Sequence, residues 1–155
     1  MSNRIRFLDH SIHAIMTDFP IALWLTSILW DILRIFNGDV LWSIMAFWTL
    51  LVGSIFGFLS IISGLLEYAT IQGNHPSIKT ATWHMIIMLL ASGLFIASFI
   101  IHRNPTLLTT HKIHLALALS AIGALMLFVG GWLGGDLIFR YGVGTRFFRN
   151  TPQPT

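Results

Sequence analysis

A chain of 155 residues that is 55% hydrophobic, only 10% charged and free of cysteine is too apolar for an ordinary soluble domain, and reads as one integral membrane domain. The missing cysteines exclude disulfides, cysteine-ligated iron–sulfur clusters, zinc thiolates and covalent CxxCH haem attachment, so any redox metal must be held by histidine, carboxylate or methionine, or by another subunit. The formal charge of +3 comes from a few residues flanking the apolar segments, which fits membrane topology and lipid headgroup contact and not nucleic-acid binding.

In chain order, the segment from about Ile5 to Thr17 follows the basic Arg4 but is interrupted by Asp9, His10 and His13, with Asp18 close behind, and has no small-residue cleavage site. It is expected to lie along the membrane surface and not to act as a signal peptide. A first span is expected from about Phe19 to Phe36, with Pro20 near the helix start and with Asp31 and Arg34 either paired at i,i+3 or Arg34 reaching to the interface. A second runs uncharged from about Val40 to Leu66, a third covers about Ala81 to Ile101, and a fourth about Ile113 to Gly135. Each approaches or exceeds the roughly 20 apolar residues that a bilayer core requires. Short connections at Asn37-Gly38-Asp39, Gln72 to Thr80 and His102 to Lys112 predict antiparallel neighbours, hence an all-α, up-down-up-down four-helix membrane bundle. A basic and aromatic tail over 139–155, with Arg140, Tyr141, Arg146, Phe147, Phe148 and Arg149, suits the interface.

Arg4, Arg6, Lys79, Arg140, Arg146 and Arg149 fall at the end carrying both termini, against Arg34, Arg103 and Lys112 at the other. The positive-inside rule then predicts cytoplasmic termini. Small residues recur at four-residue spacing: Gly53, Gly57, Ser60 and Gly64 in the second span, Gly93 and Ala97 in the third, and Ala116, Ser120, Ala124, Gly131 and Gly135 in the fourth. Such stripes allow close helix packing, or room for a flat cofactor or a partner helix.

Seven histidines lie at or near span ends. At the terminal-bearing end, His13, Asp18, Glu67, His75, His84 and Asp136 converge in this topology. His13 and His84, if they face each other, form an axial pair for haem iron or join Glu67 in a metal site, with Glu67 or Asp18 as orienting partner. The bland alternative leaves these groups in the headgroup layer, and it is preferred for His10 and His75. At the other end Asp31, His102, His111 and His114 form a second cluster. His102 and His111 read as interfacial loop residues, whereas His114 lies deeper, within reach of Asp31 or of a second cofactor. His84 and His102, five helical turns apart, share a face of the third span. The string GGWLGGDLIFRYGVG, Gly130 to Gly144, permits close helix approach and a tight exit turn at Tyr141-Gly142-Val143-Gly144, and Arg140 can pair with Asp136 or a cofactor carboxylate.

GGDLIFRYGVG, with HAIMTDFPIAL at His13 to Leu23, GLLEY at Gly64 to Tyr68 and His84 of TWHM, resembles the DUF2231 family of prokaryotic four-span membrane proteins over about His13 to Gly144. This chain has Asp18 where that family usually has a second histidine, and Glu67 where aspartate is frequent. Some members of the family are joined to Rieske-type or cytochrome domains, so the resemblance implies membrane electron transfer with b-type haem. The reading that follows is a non-catalytic electron-transfer protein with haem b held by His13 and His84, Glu67 as an orienting or proton-relaying neighbour, Arg140 and Tyr141 at the cofactor's edge, and His114 as a further cofactor candidate. Its partners are the lipid bilayer and other membrane subunits or a redox partner, as in a respiratory or photosynthetic complex. Two rivals are a cofactor-free accessory subunit packing through its small-residue faces, and a metal or proton transporter. The uncharged second span offers the transporter nothing at mid-membrane.

Overall fold

The computed structural model describes residues 6–7 and 10–144, with side chains from His13 onward. Four helices follow one another: α1 (Ile12–Asn37), α2 (Val40–Tyr68), α3 (Ile78–Ile101) and α4 (Thr110–Phe139). At 1.5 Å per residue even the shortest is roughly 36 Å long, enough to cross a hydrocarbon core of about 30 Å. All four are apolar enough to do so. Large hydrophobic side chains such as Phe58, Trp83, Phe128 and Trp132 point outward, which suits a lipid solvent.

α1 corrects the expected N-terminal boundary. A two-residue antiparallel pairing of Arg6–Phe7 with His10–Ser11 leads directly into a helix at Ile12, so Ile12 to Thr17 are helical and the first span is longer than 19–36. Pro20 therefore sits inside the helix and not at its start, where it removes the backbone donor for the Met16 carbonyl. The buried ring faces Gly57 of α2, and such interior prolines are tolerated in membrane helices that neighbours support. The consequence is functional, because His13 becomes a first-turn helical residue. The side chain of His10 and the tail residues Arg146, Phe147, Phe148 and Arg149 lie outside the described residues.

The connections are short. Gly38 adopts φ +70°, and the Asp39 carboxylate caps α2 by accepting from Leu41 N at 2.9 Å. Arg34 donates to the Gly38 carbonyl at this interface, while Asp31 turns elsewhere. Between α2 and α3, His75 Nδ1 accepts from the Ser77 backbone N–H at 3.2 Å, a local loop contact. A 3-10 turn, Pro105–Leu107, joins α3 to α4. After α4 the chain turns through Gly142 (φ +68°), as the sequence predicts, and buries Val143 against Ala81 and Leu137.

The two hairpins, α1–α2 and α3–α4, are built on one plan. His13 on α1 reaches the Ser60 carbonyl of α2, and His84 on α3 reaches the Gly130 carbonyl of α4, over chain separations of 47 and 46 residues. Eleven residues beyond each histidine stands a buried ring, Trp24 and Phe95, and the two rings stack at 4.8 Å with only 3° between their planes. Each ring rests on glycines of its own hairpin. An added Cβ would come within 2.8 Å of Trp24 at Gly53 and 2.7 Å at Gly57, and within 2.9 Å of Phe95 at Gly123. Eighteen residues beyond each histidine lie Asp31 and His102, which bond to one another. The pairs His13/His84, Trp24/Phe95 and Asp31/His102 thus mark successive levels of a pseudo-two-fold axis running along the bundle, the parallel-repeat arrangement of many membrane folds.

The small-residue stripes are therefore mostly consumed inside the chain, by rings of the same hairpin. Gly93 and Gly131 are exceptions: both are exposed, and a Cβ at either would meet nothing within 4 Å.

Candidate functional site

At the end of the bundle where α1 begins and α4 finishes, the two hairpins part around a cavity of about 630 Å³ lined by all four helices. His13 and His84 face each other across it, with ring centroids 6.5 Å apart and planes at 86°. Each is fixed in the same way. His13 Nδ1 lies 3.0 Å from the Ser60 carbonyl and 3.2 Å from Ser63 Oγ, and His84 Nδ1 lies 2.8 Å from the Gly130 carbonyl. A carbonyl only accepts, so both Nδ1 atoms carry the proton, and in each neutral ring Nε2 holds the lone pair.

One helical turn beyond each accepting carbonyl is a glycine on which the imidazole lies. A Cβ at Gly64 would stand 2.8 Å from His13 Cε1, and one at Gly134 would stand 3.1 Å from His84 Cε1. Most of the remaining wall is apolar, with Ile61, Leu65, Met85, Leu89 and Leu127 among its members. Two oriented imidazoles in a mostly apolar, glycine-walled chamber can offer two nitrogen ligands from opposite sides, with ring orientation set by backbone carbonyls.

The other residues singled out from the sequence are distributed as follows. Asp18 and Glu67 line the same cavity. Among the described residues no group of three or more His, Asp or Glu gathers as a metal site, so Glu67 is not brought in as a third ligand beside the histidine pair. On α4 the cavity wall extends to Ile138 and resumes at Val143 and Gly144. Arg140 and Tyr141 fall in the gap, the guanidinium 5.5 Å from the Tyr141 ring centre. His114 stands at the opposite end of the bundle, exposed, with its Nδ1 on the Thr110 carbonyl at 2.8 Å. His111 is likewise exposed.

His102 overturns its expected place in an interfacial loop, for it is fully buried at the end of α3. Its Nε2 lies 2.8 Å from Asp31 Oδ1 and its Nδ1 2.9 Å from the Ser98 carbonyl. Asp31 is fully buried too, and takes His102 as its partner where His114 or Arg34 was expected. The physical reason is the shared helix face: five turns carry the chain from the His84 level back to the axis, and only an axial histidine can reach Asp31 without crossing lipid. Burial disfavours the charged imidazole of His102, but the Asp31 hydrogen bond and charge and the Ser98 carbonyl outweigh it, so its pKa lies above the ordinary value.

Sequence reasoning missed the accepting carbonyls of Ser60 and Gly130 and the Trp24–Phe95 stack. One signal was available: the interval from His13 to Asp31 equals that from His84 to His102. The family model DUF2231, described as a predicted membrane protein, matches residues 9–146. Comparison with curated proteins and with solved structures finds no match.

Proposed function

The chain belongs to the DUF2231 family of predicted membrane proteins, and we propose that it is an electron-transfer protein holding one b-type haem between His13 and His84. The observation that carries this reading is the pair of imidazoles whose Nδ1 atoms are both tied to backbone carbonyls, on opposite sides of one cavity. The two ring centroids lie 6.5 Å apart, and His13 and His84 are the residues that would hold the haem iron through their Nε2 lone pairs. A bare ion would need further protein ligands, whereas a haem could be held by His13 and His84 alone. The site also lies on the pseudo-two-fold axis, where each hairpin contributes an equivalent ligand. A flat group bound centrally suits that symmetry.

Bound haem would supply one-electron redox chemistry; the protein's part is to bind, orient and shield. The Ser60 and Gly130 carbonyls hold the rings in one tautomer, and the apolar wall excludes water. Glu67 in the same wall is the neighbour able to tune the site's charge or relay a proton. Arg140 and Tyr141, just past the end of α4, belong at the membrane surface where a propionate would emerge. A redox partner or further membrane subunits complete the electron path. The lysine and arginine count favours cytoplasmic termini.

The accessory-subunit alternative keeps Gly93 and Gly131 as open small-residue positions, but not the GxxxG of the second span. Gly53 and Gly57, the residues offered to a partner helix, are occupied by Trp24 of the same chain. The decisive experiment is a visible absorption spectrum of the full chain purified from haem-replete cells. A reduced-minus-oxidised b-type band and a pyridine haemochrome are expected, both lost in His13→Ala and in His84→Ala. A protein that folds, carries no haem and takes up none on reconstitution would remove the reading.

A further inference from the structure

A second axial level remains without a role. Asp31 and His102 meet at 2.8 Å with no exposure to solvent, far along the bundle from the His13–His84 cavity. A buried ion pair is a poor stabiliser, because desolvation of the two groups offsets most of their attraction and well-packed apolar residues commonly do as well. Here the compensation is incomplete, since Asp31 Oδ2 is buried without a hydrogen-bond partner. Asp31 lies inside a membrane span, and an ionisable residue buried there is a functional candidate by default.

The hydrogen bonds fix what the pair can do. His102 Nδ1 must donate to the Ser98 carbonyl, so one further proton is shared between Nε2 and Asp31 Oδ1. With that proton the pair is neutral overall, and without it the pair carries one negative charge in a low-dielectric interior. We propose that Asp31 and His102 form a proton-binding site, loaded from the side of the α1–α2 and α3–α4 connections and closed towards the cavity.

Access is short on one side. His102 caps α3 and is followed at once by exposed Arg103 and Asn104, and Asp31 is six residues before the end of α1. On the other side the Trp24–Phe95 stack, packed with Leu50, Ala91 and Leu127, closes the axis between the pair and the cavity. The buried hydroxyls next to the pair do not bridge this plug. Ser98 Oγ donates to the Ala116 carbonyl, Ser120 Oγ to Ser98 Oγ, and Ser27 Oγ to the Trp24 carbonyl.

Charged neighbours leave the shared proton to the pair. On α1, Arg34 is turned to the Gly38 carbonyl; on α2, Asp39 is engaged in its cap and no ionisable residue follows before Glu67. On α3's side Arg103 is exposed, and on α4 His111, Lys112 and His114 are exposed. The raised affinity of His102 for a proton accords with this arrangement. The pair also joins the two hairpins, which Tyr68 and Thr82 link at the other end at 2.8 Å, so its charge state bears on how firmly the hairpins hold at its own end.

The test is a titration of the full chain, 15N-labelled at histidine, in lipid nanodiscs. The His102 resonances are assigned by their loss in His102→Gln, and the carboxyl region is followed by infrared spectroscopy. Nδ1 is expected to stay protonated throughout. The shared proton is expected to leave in one step as pH rises, seen together at Nε2 and at the Asp31 carboxyl. In Asp31→Asn the step should move down by at least a unit, a tenfold loss of proton affinity or more. Persistence of the step in a His13→Ala, His84→Ala double variant separates this site from whatever binds in the cavity. If wild-type His102 keeps one protonation state from roughly pH 4 to 10, the pair is a fixed structural link and the proposal fails; this reading does not depend on any variant folding. Proton flux in proteoliposomes that Asp31→Asn abolishes would overturn the one-sided closure.

Discussion

His84 within α3 and His102 at its C-cap sit five turns apart on one helix face and yet meet opposite fates. His84 spends one nitrogen on a backbone carbonyl and faces a cavity with His13 across it. His102 spends both nitrogens, and its axial partner is a carboxylate in direct contact. The difference is what the equivalent position of α1 supplies. With both Nδ1 donors spent on backbone carbonyls, neutral His13 and His84 rings have no N–H left to bond one another, and the cavity beside them stays open. An imidazole and a carboxylate attract, so the same level of the axis closes. One scaffold thereby carries an open level and a self-satisfied one, separated by a plug of stacked rings.

The sharpest way to break this contrast is at the closed level. Removing one partner, as in Asp31→Ala, leaves an uncompensated buried group and should cost about 3–5 kcal/mol, measured by denaturant unfolding in mixed micelles. The double change Asp31→Leu with His102→Leu should recover most of that loss; a double variant as unstable as the single one would show that packing, and not pairing, holds this level. The same pair gives a pH dependence with a definite sign. His102 binds its proton more tightly folded than unfolded, so its contribution is fully present below the unfolded value near 6.5 and is lost as pH rises through the higher folded value. Unfolding free energy followed from slightly acid to alkaline pH should fall through that window in the wild type, and Asp31→Asn should flatten the fall.

Next in size is the plug. Gly57→Leu drives a side chain into the Trp24 ring and should cost about 1–3 kcal/mol through overpacking, with loss of the native near-ultraviolet signal of Trp24. At the open level the effect on stability is smaller and the effect on binding larger. His13→Ala removes a hydrogen bond worth about 1 kcal/mol yet should abolish the haem band altogether. Gly64→Ala tests the seating of the ring, because its Cβ would press on His13 at 2.8 Å; haem occupancy should drop further than in Gly134→Ala, where the approach is 3.1 Å. Smallest of all, Gly93→Ala meets open space and should leave both levels untouched, with stability within about 0.5 kcal/mol of wild type.

Much of this molecule was legible in the chain itself. Apolar runs of membrane length, short polar connections and the Asn37-Gly38-Asp39 and Gly142 turns dictate four antiparallel helices, because an uninterrupted apolar run of about 20 residues satisfies its backbone polar groups in hydrocarbon as a helix. Residue chemistry also nominated His13 and His84. The start of α1 was misjudged, since a proline that would end a helix in water is tolerated inside a membrane helix supported by its neighbours. Which histidine would be buried was not legible either: His102 looked like a loop residue until its turn of α3 was seen on the axis opposite Asp31. Periodicity fixes the face of a helix but not what stands across from it. That choice belongs to the tertiary structure, where the pairing of two like hairpins placed histidine against histidine at one level and aspartate against histidine at the other.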